Sequence, residues 1–229
     1  MDWKRAVHAG HRQICLTMPT GMGKTFVAQT LAAAEATEGK STVFYTHRRL
    51  VANQWHRFLD DAETEHGMRA RGYKPDFAQL IQVSLIPTER ARVFDAGDWG
   101  LQQADYVWID EAHSNKGATA ESIIKWHLDH RAVVTGLTAT PLGIADLYTH
   151  LIIGGTKAEG RECGALVPAE TFAPSEPDWR ELKRIRAERN VTAADYQRLL
   201  YGESGSLRKA VYSCVADSCK KLNPFGEPT

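Results

Sequence analysis

Between positions 13 and 137, short apolar runs alternate with longer polar stretches that carry apolar residues at helical spacing. The run 13–18, Gln-Ile-Cys-Leu-Thr-Met, has the length and content of a buried strand. A helix is predicted over 24–38, with Phe26, Val27, Leu31 and Ala34 as apolar contacts and Gly39 as its stop. A strand over 42–46 and an amphipathic helix over 49–61 follow. The stretch 67–76, with glycine, proline and basic residues, is expected to be loop. Next come a strand over 80–86 and a short helix opened by Pro87-Thr88-Glu89, with proline in its first turn. Strands over 105–109 and 132–137 flank a helix over 119–128, and the opening 3–9 reads as helical turns stopped by Gly10. Strands that alternate with helices through short connections must pair in parallel, with both sheet faces covered. The fold class expected is α/β.

The pattern loosens after Pro141. Gly154-Gly155, Gly160 and Gly164 are expected to mark turns, and 168–177 is an extended, proline-punctuated segment. Polar helices are predicted over 178–188, 192–201 and 206–215, ahead of a frayed tail. No internal repeat is present.

The 229 residues suffice for one large domain, or one domain with an appendage. Formal net charge is zero, from 28 basic and 28 acidic residues, which argues against a whole-surface polyanion partner but leaves room for a local basic track. No stretch approaches the ~20 continuous apolar residues of a membrane span. The first residues lack a signal peptide's apolar core, so a cytoplasmic location is expected. Cys15 falls in a strand as a small hydrophobe, and Cys214 and Cys219 have neither Cys-x-x-Cys spacing nor a nearby histidine to suggest zinc.

Two segments carry chemistry, each at the end of a predicted strand. Pro19-Thr20-Gly21-Met22-Gly23-Lys24-Thr25 is a glycine-rich turn opening a helix. Without a Cβ to obstruct them, its backbone N–H groups can close around phosphate oxygens, Lys24 can reach the terminal phosphates, and the Thr25 hydroxyl can sit on Mg²⁺. Asp110-Glu111-Ala112-His113 supplies a carboxylate for the hydrated metal and one for the attacking water. In parallel sheets ligands bind outside the carboxyl ends of the strands, where both segments fall. The combination implies a site for ATP and Mg²⁺.

The segments Met18-Pro-Thr-Gly-Met-Gly-Lys-Thr25, Asp110-Glu-Ala-His113 and Thr138-Ala-Thr-Pro141 resemble motifs I, II and III of superfamily-two helicases, in that order. The subgroup they resemble is the DEAH-bearing branch of type III restriction subunits and bacterial or phage repair translocases. Thr46-His-Arg-Arg-Leu-Val-Ala-Asn-Gln54 is similar to that branch's motif Ia, and 82–88 and 163–168 are similar to two further stretches. The resemblance covers about 10–177. It implies a RecA-like P-loop domain over 1–168, followed over 169–229 by a linker and a mainly helical extension.

The resemblance assigns roles residue by residue. Lys24 and the loop amides would hold the β- and γ-phosphates, Thr25 and Asp110 the Mg²⁺, and Glu111 would act as general base. His113, Thr138 and Thr140 would couple the γ-phosphate to movement of the nucleic-acid surface, and strand-end capping is the alternative for the two threonines. Arg48, Arg49, Gln54, Thr88 and Arg90 would grip a single-strand backbone, with DNA favoured over RNA; a solvated charged face is the alternative. The basic stretch 180–189 is open to the same two readings. Trp55, Trp108 and Trp126 are expected to pack rather than stack on bases.

Two departures shape the functional expectation. The chain offers no convincing glutamine-bearing adenine segment, and after Pro177 only about fifty residues remain, too few for a second doubly wound domain. The second RecA-like domain, with its arginine finger, is therefore expected either from another chain or to be missing by truncation. An arginine finger can be worth ~10³–10⁵ in rate. The chain alone is expected to bind Mg·ATP, hydrolyse it slowly and leave duplexes unwound. The rival readings are a catalytically incomplete binding module from a truncated or split helicase, and a P-loop kinase or GTPase, which the second and third motifs disfavour.

Overall fold

The computed structural model describes residues 2–114 and 117–167. The expectations for 168–229, with Cys214, Cys219 and the basic stretch 180–189, lie outside the described residues. Among the described residues seven strands form one sheet: β1 Gln13–Thr17, β2 Thr42–Thr46, β3 His66–Arg69, β4 Ile81–Leu85, β5 Tyr106–Ile109, β6 Val133–Thr138 and β7 His150–Ile153. Their order is β3-β4-β2-β5-β6-β1-β7, and every pairing is parallel. The helices are α1 Asp2–His8, α2 Lys24–Thr37, α3 Arg49–Asp61, α4 Ile86–Glu89, α5 Ala118–Asp129 and α6 Lys157–Glu162. This is the expected α/β architecture.

Period-two alternation divides the strand side chains between two cores. Ile14, Leu16, Phe44, Val83 and Trp108 pack with α1, α2 and α3 on one face. Cys15, Val43, Tyr45, Val107, Ile109 and Val134 pack with α5 on the other. Trp55, fully buried on α3, stacks on Phe44 with ring centroids 4.1 Å apart, and Trp108 stacks on Trp3 at 5.1 Å. Trp126 is half-buried and lies over the His130 ring at 4.0 Å, so all three tryptophans serve packing. Gly136 in β6 is required by close approach, because a Cβ there would lie 2.7 Å from that of Ala112, just after the acidic pair.

Three expectations need correction. Residues 67–69 of the stretch expected to be loop belong to edge strand β3, and 70–76 carry neither helix nor strand. Arg69, which gave the segment its loop-like appearance, is buried and its guanidinium grips the Glu89 carboxylate with two N–H groups. A second edge strand, β7, pairs with β1 beyond the point where the pattern loosened. Gly160 marks no turn: it lies inside α6, whose start is fixed by a reciprocal cap between Thr156 and Glu159.

His127 gives the fold a pH dependence. Its ring is fully buried on α5, with Nε2 2.9 Å from the Tyr45 hydroxyl. Burial foremost, then the nearby charges of His130 and Arg69, hold its pKa down at about 3, while burial raises that of Tyr45. Between about pH 3 and the ordinary histidine value of about 6.5 only the unfolded chain takes up this proton. Stability from this group is therefore complete above about pH 6.5 and declines as pH falls, by about 2 kcal/mol at pH 5. Thermal melts across that range should show the decline, and a His127→Gln chain should show a shallower one; equal slopes would remove His127 as the cause.

Candidate functional site

The phosphate-loop candidate leaves β1 at Met18, whose N–H donates to the Thr138 carbonyl of β6 at 3.2 Å. Gly21 and Gly23 have φ of +88° and +83°, the left-handed region where a Cβ is strained, so glycine at both positions serves the turn. Gly23 is also the N-cap of α2, and no side chain caps the helix. The first N–H groups of a 14-residue helix thus face the loop without a side-chain acceptor, an arrangement suited to anions. The Lys24 ammonium folds back over the loop and donates to the carbonyls of Met18 at 3.0 Å and Pro19 at 3.4 Å. Partial burial lowers its pKa, and the charges of Glu111 and Asp110 oppose that shift.

The acidic segment leaves β5, separated from β1 by β6 alone. Asp110 is buried, and the Thr46 hydroxyl at the end of β2 donates to its Oδ2 at 3.0 Å. Burial raises the Asp110 pKa above the usual carboxylate range; the Thr46 bond and the charge of Arg48 act in the opposite direction. Glu111 occupies a left-handed backbone conformation, φ +48°, costing of the order of 1 kcal/mol for a residue with a Cβ. It is half-buried, and its Oε2 lies 3.5 Å from His113 Nδ1.

His113 joins this turn to the Thr138–Pro141 segment, with Nδ1 2.8 Å from Thr138 Oγ1. The Thr138 hydroxyl donates to the Thr140 carbonyl at 3.2 Å and accepts from the Thr140 N–H at 3.0 Å. That network assigns the proton to His113 Nδ1 as donor. Pro19 to Thr25, Asp110, Glu111, His113, Thr138 and Thr140 thus gather at the carboxyl edge of β1, β5 and β6. Thr46 is the contributor that sequence reasoning missed, although its position at the end of a strand, just before two arginines, was a usable signal.

The remaining candidates sit on the same edge but spread over it. Arg48 and Arg49 open α3 and are exposed; Gln54 lies farther along that helix, also exposed. Thr88 is half-buried in α4, and exposed Arg90 follows it, paired with Asp95 at 3.7 Å. A groove of about 610 Å³ lies between α4 with the residues after it and the start of α5, lined by His47, Pro87, Arg90, Phe94, Ser114 and Thr119 among others. Arg90 reaches it; Arg48, Arg49, Gln54 and Thr88 do not line it.

The family model of the type III restriction enzyme res subunit matches residues 1–143. No curated protein matches the sequence. Among solved structures, the helicase domain of Hef from Pyrococcus furiosus superposes with a TM-score of 0.52 at 20% identity, over 66% of this chain and 37% of that chain. The SWI2/SNF2 ATPase core of Sulfolobus solfataricus, solved with double-stranded DNA, gives 0.46 at 20% identity, over 65% and 32%. The chain thus spans little more than a third of the Hef helicase domain. Among the described residues no helix is long and apolar enough to cross a membrane. By the family match and the shared fold, the chain belongs to the type III restriction enzyme res subunit family and contains the first RecA-like domain of a superfamily-two helicase, a helicase-family ATPase domain.

Proposed function

We propose that this chain is the ATP-binding half of an ATP-dependent helicase or translocase acting on nucleic acid, DNA in preference to RNA. It hydrolyses ATP when a second RecA-like domain closes on the site. The observation that carries the reading is the meeting, at one sheet edge, of a loop with two left-handed glycines and the acidic turn. The charges of Asp110 and Glu111 are close enough to act on Lys24.

In this reading the amides of 19–25 and the Lys24 ammonium bind the β- and γ-phosphates, for which Lys24 exchanges its loop carbonyls. Mg²⁺ would be held by the Thr25 hydroxyl and Asp110, whose carboxylate is already oriented by Thr46. The metal supplies charge neutralisation at the phosphate oxygens. Glu111 accepts the proton of the attacking water. His113, Thr138 and Thr140 transmit the γ-phosphate state to the groove that Arg90 lines. Arg48, Arg49, Gln54, Thr88 and Arg90 contact the strand's backbone.

The test is an ATPase assay with single-stranded DNA, duplex DNA and RNA, each with and without a chain carrying a second RecA-like domain. Nucleic-acid-stimulated turnover that needs the added domain is the expected result. Lys24→Ala should weaken nucleotide binding about 10- to 100-fold, the worth of a charged hydrogen bond to phosphate. Nucleotide affinity unchanged by that substitution would remove the loop from the site, and GTP outcompeting ATP would favour the GTPase reading. Retained ATP binding without stimulated turnover would favour an incomplete binding module.

A further inference from the structure

Away from the nucleotide edge, His56 and Asp60 of α3 and His66 of β3 converge on one point. His56 Nδ1 lies 2.7 Å from His66 Nε2, Asp60 Oδ2 3.4 Å from the former, and Asp60 Oδ1 3.8 Å from the latter. The i, i+4 spacing puts His56 and Asp60 on one face of α3, and the short link to β3 brings His66 up to them. We propose that these three side chains bind a borderline divalent transition ion, with Zn²⁺ as the reference.

The donor set and its surroundings fit such an ion. Two imidazoles and one carboxylate, with room for water, make a three-ligand site with an open position. The spacing is near the required one: ligand atoms about 2.0–2.1 Å from a tetrahedral ion lie about 3.3–3.4 Å apart. One carboxylate oxygen, Asp60 Oδ2, already has that spacing from His56 Nδ1; with one ligand atom from each residue the three lie within 4.8 Å of one another, so the carboxylate must swing that oxygen towards His66 and the two nitrogens must separate by about 0.6 Å. His66 Nδ1 donates to the Thr64 carbonyl at 2.9 Å, which leaves the Nε2 lone pair facing the cluster, as in a metal-ligating histidine with its outer-shell partner. His56 then carries its proton on Nδ1, between the two rings; to ligate through that atom the ring takes the other tautomer, Nδ1 giving its proton to solvent as Nε2 takes one up, so the imidazole stays neutral. The three groups line an open surface hollow of about 460 Å³, where Glu63 and Glu65 add negative charge against Lys74. His66 is nearly buried at 5% side-chain exposure, His56 has 30% and Asp60 56%, so an ion and its water can enter. Bound there, it would clip α3 to the sheet's edge strand.

The test uses the full chain, stripped with chelator and titrated with Co²⁺, followed by visible absorption and by displacement with Zn²⁺. One equivalent of Co²⁺ absorption, displaced by Zn²⁺, is expected. His56→Gln and Asp60→Asn, conservative changes at partly exposed positions, should each weaken binding by at least about 100-fold. Zn²⁺ at about a hundred times its Kd should raise the melting temperature by about 5–10 °C, and not in Asp60→Asn. The signal should survive Asp110→Asn and Cys214→Ser/Cys219→Ser, which separates this site from the nucleotide edge and from the thiols. No absorption at stoichiometric Co²⁺, absorption unchanged by His56→Gln, or absorption lost in either control would overturn the assignment.

Discussion

A Glu111→Gln chain, completed by its second domain, should bind Mg·ATP almost as well as the parent and hydrolyse it about 10²–10⁴-fold more slowly. Glutamine keeps the length and hydrogen-bonding reach of the side chain and removes only its capacity to take a proton. Glu111 follows the end of β5 with a left-handed backbone and is half-buried, with an oxygen 3.5 Å from His113. Asp110, by contrast, is buried and oriented by the Thr46 hydroxyl, as befits a group that holds a metal rather than one that moves a proton. Asp110→Asn should therefore lose metal-dependent nucleotide affinity as well as rate. Single-turnover hydrolysis and equilibrium nucleotide binding, measured on both variants, separate the two roles. A Glu111→Gln rate within a few-fold of the parent would dismiss it as general base.

Truncation of Arg69 to alanine should destabilise the fold by about 3–5 kcal/mol, the penalty for leaving a buried charge without its partner. For a domain of this size that is a fall of about 6–20 °C in melting temperature. Glu89 is fully buried and also accepts from the Ser84 hydroxyl at 2.6 Å. The guanidinium also donates to the Gly100 carbonyl at 2.8 Å and lies 5.0 Å from both the Phe77 and Trp99 ring centroids. One ion pair thus ties β3, β4, α4 and the stretch before β5 together. An Arg69→Met/Glu89→Leu double variant should lose less than either single one, since it leaves no orphaned charge. Scanning calorimetry of the three chains decides it; a single variant that melts within a degree or two of the parent would show the pair to be energetically idle.

Much of this was legible in the chain. Strands β1, β2, β4, β5 and β6 lie within a residue or two of their predicted limits, because each is a buried run bounded by a helix or a turn. The glycine turn and the acidic tetrad could be located because glycine spacing and adjacent carboxylates are local features, and both lie at the one sheet edge where they were expected. β3 was not, because His-Gly-Met-Arg has no alternation and its arginine is neutralised by Glu89, a contact that exists only in three dimensions. β7 was hidden for the opposite reason: an edge strand with Leu151 and Ile153 exposed has a weak burial pattern. The i, i+4 pair His56 and Asp60 is visible on α3, but His66 joins it from β3 only in three dimensions, as Asp110 at the end of β5 meets Thr46 at the end of β2.

The strand order has a metric consequence. With β6 alone between β1 and β5, the lysine loop and the acidic turn are held two inter-strand steps apart, about 9.5 Å. That interval is set by backbone hydrogen bonding, which every residue with an N–H and a carbonyl can supply. The sheet behaves as a caliper whose jaws hold their opening while side chains drift, and in the proposed function a phosphate and a cation would lie side by side in that opening.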